Sequence, residues 1–205
     1  MESITIYLGS KIISSWSLRA WLMLLQTGAD FKAVFIDLDQ ENAKEKIAKV
    51  SPSGKVPVLL FGDAVIWDSL SIGEFLAEEY PSATLWPDNS YSRSIARSIS
   101  CEMHSGFHGL RKHLPFDTTV RIENYSVPDE ASKDIARVIQ IWEECLNQVN
   151  NPGPFLFGKF SIADAMFAPV AVRFLSYNIL LPPKAESYVK SIMNLPEMQM
   201  WCNEI

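Results

Sequence analysis

Residues 12–21 read IISSWSLRAW, and two hydroxyls, Ser14 and Ser15, stand where a β-type run gives way to a helical one. A serine there has two uses. Its oxygen can accept from a free backbone N–H and cap the helix, or its O–H can donate to an anion held at the helix's positive end. Ser17 is a third hydroxyl within reach of the cap. Residues 51–58, SPSGKVPV, put Pro57 inside an apparent strand. That proline marks an edge or a bulge, or is a cis-proline that turns the strand end toward a ligand. Asp68-Ser69 precedes a helix, as an ordinary cap would, or as an anion-binding helix start. Cys101, His104 and His108 fall at i, i+3 and i+7, which predicts one shared helical face. His and Cys suit zinc, but no further Cys/His cluster completes four ligands. No metal is therefore assigned, and the two histidines are read as a polar pocket wall or as packing. Arg173 and Tyr177 are an i,i+4 pair that could orient an anionic co-substrate or form a structural contact.

Two enzyme classes are disfavoured at once. There is no Gly-x-Ser-x-Gly elbow, and all three histidines fall in residues 104–113, which argues against a serine hydrolase. No cysteine precedes Cys101, so a disulfide reductase working from the first helix lacks its thiol.

The chain has 205 residues, 48% hydrophobic and 20% charged, with a net charge of −6. That composition predicts a soluble globular protein. The acidic balance argues against bulk binding to nucleic acid or anionic lipid. No apolar run reaches the ~20 residues of a membrane span, and the start MESITIYLGS lacks a secretory pattern. Three widely spaced cysteines fit reduced thiols, and the expected location is the cytoplasm.

The elements that must position these groups follow from periodicity. SITIYLG (3–9) and FKAVFIDL (31–38) read as strands, and KVPVLLF (55–61) and AVIWD (64–68) as a hairpin around Gly-Asp. SLRAWLMLLQTG (17–28), QENAKEKIAKV (40–50) and SLSIGEFLAEEY (69–80) read as helices. The order is β-α-β-α-β-β-α over residues 1–80. PSATLWPDNS (81–90) reads as a linker. Residues 91–205 show only helices, at 92–114, 129–149, 161–179 and 185–194, with a long connection at 115–128. The expectation is a small α/β domain followed by an all-helical bundle, each with its own apolar faces.

Taken together, SSWSLRAW, SGKVPVL and WDSLSIGEFLAEEYP resemble, in order and spacing, the glutathione transferase family, and the resemblance covers nearly the whole chain. FGKFSIADAMFAPV (157–170) resembles the family's buried helix-start signature, with Ser161 and Asp164 as a capping box. The resemblance implies a thioredoxin-like first domain and a helical second one. SSWSLR is most similar to the serine-using classes and to a zeta-like, bacterial-looking branch. Trp16 stands where that group has a cysteine, so its maleylacetoacetate isomerisation is discounted.

The resemblance implies that glutathione is co-substrate, with no other cofactor. Its thiolate would attack a small hydrophobic electrophile in a detoxifying reaction, and the enzyme would be a homodimer. Ser14, five residues before Arg19, is the favoured thiolate donor and Ser15 the alternative. Val56, before Pro57, would pair its main chain with the cysteinyl part. Asp68 would take the γ-glutamyl ammonium, Ser69 the γ-glutamyl carboxylate, and Lys55 would reach the glycyl carboxylate or lie on the surface. Trp16, His104, His108, Arg173 and Tyr177 would line the second pocket. A glutathione-dependent isomerase or peroxidase, or a non-catalytic binder of hydrophobic ligands, are the alternatives.

Overall fold

The computed structural model describes residues 2–148 and 152–203. Strand β1 (Ile4–Gly9) turns Ile4, Ile6 and Leu8 into the main core, while Tyr7 faces the other way. Helix α1 (Ser15–Leu25) crosses over to β2 (Lys32–Ile36), which lies parallel to β1. After α2 (Ala43–Ala48), β3 (Val58–Phe61) and β4 (Ala64–Trp67) form an antiparallel hairpin, and α3 (Ser69–Glu79) closes the unit. Gly62 supplies the positive φ that the two-residue turn between them requires. The sheet order is β2-β1-β3-β4, with β1 and β3 antiparallel. α1 and α3 cover one face. They approach closely at Gly73, where a Cβ would lie 2.7 Å from the Met23 sulfur. α2 covers the other face with a small cluster of Ile36, Ala43 and Ile47, against which Tyr7, Leu38 and Val56 pack.

The remainder is helical: α4 (Ser90–Ser105), α5 (His108–His113), α6 (Asp129–Leu146), α7 (Ile162–Ser176), α8 (Pro183–Met193) and α9 (Pro196–Asn203). α7 is apolar nearly all round and buried nearly all round, so it is the axis of this half. Its start is the expected capping box. Asp164 accepts from the amide and hydroxyl of Ser161 at 2.9 and 2.8 Å, and from the Leu156 amide and the Tyr188 hydroxyl. Burial pushes the Asp164 carboxyl up to about 6 against these four bonds.

The thioredoxin-like α/β unit and the helical bundle are both present, with four differences. The two halves do not keep separate cores: one continuous cluster runs from Ile6 through Leu22 and Phe167 to Trp201. α1 is buried against α7 as well as against the sheet, and its apolar residues Leu18 to Leu24 leave no wet face. The helix expected over 92–114 is two helices, because Gly106 and the left-handed Phe107 (φ 60) break it. Pro57 stands just before β3 rather than inside it, and its peptide bond with Val56 is cis. The segment read as a linker carries a 3₁₀ turn at Pro81–Ala83 and buries Leu85 and Trp86. Residue 149, where the sequence places the end of the 129–149 helix, lies outside the described residues.

Candidate active site

The sheet register gathers three distant stretches at one end. Tyr7 of β1 pairs with Val58 of β3, and Val58 pairs with Trp67 of β4. The loop leaving β1, the Val56-Pro57 approach to β3 and the Asp68 exit from β4 therefore share one edge of the sheet.

On the first of these, Ser14 is the N-cap of α1. Its oxygen accepts from the Ser17 amide at 3.4 Å, and its O–H donates to the Ser17 hydroxyl oxygen at 2.8 Å. The Ser17 oxygen also accepts from the Gly9 amide at 2.8 Å. The cap forms only because residue 9 is glycine: a Cβ there would stand 2.9 Å from Ser14 Cβ and Oγ and from Leu38 Cδ1. α1 starts at Ser15, two residues before the sequence places it, so Ser15 and Ser17 are inside the helix and neither is its cap. Ser15 is buried, and its hydroxyl has no recorded bond among the described residues. The first amides of α1 point outward at this end, with the positive end of the helix behind them.

The loop between Ser10 and Ser14 is held by the other half of the chain. Thr118 donates its amide to the Ile12 carbonyl at 3.2 Å, and Trp201 donates its indole N–H to the Lys11 carbonyl at 2.8 Å.

Trp16 emerges one residue further on. The Arg19 guanidinium lies 4.3 Å from its ring centre, and the Arg111 guanidinium lies 4.7 Å from it. Arg19 is fully buried. Its Nε donates to the Met166 carbonyl at 3.0 Å, but both terminal nitrogens are without a partner among the described residues. Burial, and then the charges of Arg111 and Arg173, hold the Arg19 pKa well below its ordinary value. Burial does the same to Arg111 and brings Arg173 down to about 9. Two guanidiniums thus flank Trp16, and the charge of Arg173 is in range of both. The sequence offers one signal for this cluster, Arg19 one turn after Ser15 and Trp16, and none for Arg111.

At the third stretch, Asp68 takes a left-handed φ of 75 and caps α3 with one carboxylate oxygen, which accepts from Leu70 N and Ser71 N at 2.9 and 3.4 Å. The other oxygen lies 3.1 Å from His104 Nε2. The His104 ring also stands edge-on against Trp16, with centres 5.2 Å apart. His104 is therefore shared by the first and third stretches. Ser69 is buried at the first position of α3, and its hydroxyl has no partner among the described residues. Val56 is half-buried and Lys55 exposed. Ser51 Oγ holds the Lys55 main chain, donating to its carbonyl at 2.6 Å and accepting from its amide at 3.1 Å.

Three expected pocket residues are placed elsewhere. His108 follows the Gly106–Phe107 break, is exposed, and does not share the face of His104. Arg173 is buried and donates to the carbonyls of Leu114 (2.7 Å) and Pro169 (3.3 Å), over the Phe116 ring. Its charge helps to lower the pKa of Arg19. Tyr177 packs edge-on against Tyr125, bonds the Pro115 carbonyl, and lines a separate apolar groove of about 580 Å³ with Ile135, Ile139 and Leu180.

Residues 13–79 match the family described as glutathione S-transferase, N-terminal domain. A Caenorhabditis elegans protein described as a probable maleylacetoacetate isomerase is 38% identical over 170 residues, 82% of this chain and 78% of that one. Glutathione S-transferase Z2 of Arabidopsis thaliana is 32% identical over 91% of this chain and 85% of its own length. Among solved structures, a Burkholderia glutathione transferase homologue with bound glutathione superposes with a TM-score of 0.75 and 24% identity, covering 98% of this chain and 97% of the other.

Proposed function

The chain belongs to the glutathione S-transferase family, and from that premise we propose that it activates the thiol of glutathione for attack on an electrophile, at the end of the sheet where β1, β3 and β4 meet. The observation that carries the reading is the register Tyr7–Val58–Trp67, which brings Ser14, Val56 and Asp68 to one edge.

A free thiol has a pKa of about 8.5, so only a few per cent is thiolate at neutral pH. Bringing it to about 7 takes roughly 2 kcal/mol of preference for the anion. Ser14 supplies one part. The Ser14–Ser17 hydrogen bond reverses, Ser17 donates to Ser14, and the Ser14 proton is released to donate to the thiolate. The Gly9 amide keeps the Ser17 oxygen in place through both states. The open amides and dipole of α1, and the charges of Arg19 and Arg111 behind Trp16, supply the rest. No general base is needed, and neither serine is a nucleophile; Ser15 is the second hydroxyl facing the same space. Val56 offers its main chain to the cysteinyl unit as an added strand would. Asp68 takes the γ-glutamyl ammonium, the unpartnered Ser69 hydroxyl donates to the γ-glutamyl carboxylate, and Lys55 stands over the glycyl end.

The electrophile docks against Trp16. Its flat ring suits a small hydrophobic partner and the guanidiniums around it suit an anionic one. That second feature favours, as a second reading, a glutathione-dependent isomerisation of an acidic substrate at the same first site. Also proposed are a division of the chain at residues 81–90 and a cytoplasmic, detoxifying homodimer. The free thiols of Cys101 and Cys202 and the apolar exposure of Val65 and Trp67 on the edge strand β4 support compartment and dimer respectively. Among the described residues no helix is long and apolar enough to cross a membrane. Conjugation of glutathione to chlorodinitrobenzene, compared with disappearance of an anionic cis-enone without net glutathione loss, tests the reading. Turnover of neither substrate would remove it.

A further inference from the structure

Among the described residues of the helical half, His104 touches both Trp16 and Asp68. Its Nε2 lies 3.1 Å from an Asp68 oxygen, in ion-pair range. Its Nδ1 is buried without a partner among the described residues. The His104 ring meets Trp16 at 5.2 Å and 72°, and Trp16 is itself held by two guanidiniums within 4.7 Å of its ring centre. The Asp68 carboxylate is therefore held at both oxygens: Oδ1 accepts from the Leu70 and Ser71 amides, and Oδ2 lies within ion-pair range of His104. A carboxylate has about four acceptor directions. The two on Oδ1 are taken, and Oδ2, on a side chain 43% exposed, keeps a direction for a ligand donor. As a mere tie between α4 and α3, a half-exposed pair of this kind contributes little to stability. As a device for aiming the last acceptor direction it has a purpose, because without it the carboxylate plane is free to turn about its capped oxygen.

We propose that His104 is the positioning residue of the γ-glutamyl subsite: it fixes the Asp68 carboxylate so that its free acceptor direction meets the ligand's α-ammonium. The inference rests on the glutathione reading above. It moves His104 from the wall of the second pocket to the recognition of the first substrate, and it predicts selectivity for the amino group rather than for the peptide as a whole.

The test is calorimetric titration of the full chain with two ligands, glutathione and glutaryl-cysteinylglycine, which lacks only the α-amino group. Wild type binds glutathione the more tightly. His104→Leu loses about tenfold in affinity for glutathione, the scale of one hydrogen bond to a charged group, and loses nothing for the deaminated analogue. His104→Gln, whose amide nitrogen reaches the place of Nε2, recovers most of the loss, whereas His104→Asn, one bond shorter, does not. If the leucine variant fails to fold, the Gln and Asn pair decides. Equal loss on both ligands, or no loss on glutathione, overturns the inference and leaves the glutathione reading intact. Equal affinity of wild type for the two ligands also overturns it, by removing the ammonium from Asp68. Failure of wild type to bind glutathione overturns both.

Discussion

The backbone amide of Gly9, the last residue of the first strand, donates to the hydroxyl of Ser17 in the first helix at 2.8 Å. That bond sets where Ser17 stands, and Ser17 in turn holds the cap residue Ser14 at 2.8 Å. The strand end and the helix start are thus one unit. Gly9→Ala should break it, since the added Cβ would lie 2.9 Å from Ser14 and Leu38. Overpacking of this kind costs about 1–3 kcal/mol. The expected result is a lower melting temperature together with a raised pKa of the bound thiol, read by thiolate absorbance. A variant that is merely less stable, with the thiol pKa unmoved, would separate the glycine from the site.

Arg19 gives a prediction of opposite character. It is a buried cation whose two terminal nitrogens have no partner among the described residues; burial and two other arginines outweigh the charge of Asp68. Burying such a charge is costly, and an apolar replacement of similar volume is often neutral or stabilising. Arg19→Met should therefore leave the melting temperature level or raise it, while kcat/KM for conjugation falls by about tenfold as the thiolate loses a neighbouring charge. Loss of stability without loss of activity would make Arg19 a structural residue only.

Much of this was legible in the sequence, and the failures have physical causes. The β-α-β-α-β-β-α order was readable because each short element has its own period and its own punctuation. The Ser161–Asp164 box was readable because capping is local. The α4–α5 break was not, since the helical period runs on through Gly106–Phe107. Only the left-handed backbone of Phe107 shows that His108 leaves the face of His104. The three-arginine environment was invisible for another reason. Arg19, Arg111 and Arg173 lie far apart in the chain, on α1, α5 and α7, and only tertiary packing brings their charges into range.

Asp164 supplies a pH dependence. Its carboxyl is pushed up to about 6 by burial, against about 3.9 in an unfolded chain. Between those values the folded protein holds the extra proton, so this group's contribution makes stability fall as pH rises from about 4 to about 6. Denaturant unfolding across that range should show the slope in wild type and not in Asp164→Asn. Asp164→Ala, which strands four donors, should cost about 3–5 kcal/mol at any pH. A slope unchanged in the Asn variant would assign it to another group.

Trp201 tests whether the last helix supports the first site. Its indole N–H holds the Lys11 carbonyl at 2.8 Å, in the loop that carries Ser14. Trp201→Phe keeps an aromatic ring and removes that bond. It should cost about 1 kcal/mol and weaken glutathione binding, seen as a raised KM with kcat largely kept. A variant with wild-type KM would show that the loop is held well enough by Thr118 alone.

The central claim is that the Ser14 hydroxyl, supplied by Ser17, stabilises a thiolate at the head of α1. The most direct measurement is the pKa of the bound thiol, by thiolate absorbance against pH, in wild type, Ser14→Ala, Ser15→Ala and Ser17→Ala saturated with glutathione. A depressed value is expected in wild type, with a rise of about one unit in Ser14→Ala, a smaller rise in Ser17→Ala, and little change in Ser15→Ala. An undepressed thiol in wild type, or a depression that survives in Ser14→Ala and is lost in Ser15→Ala, would contradict it.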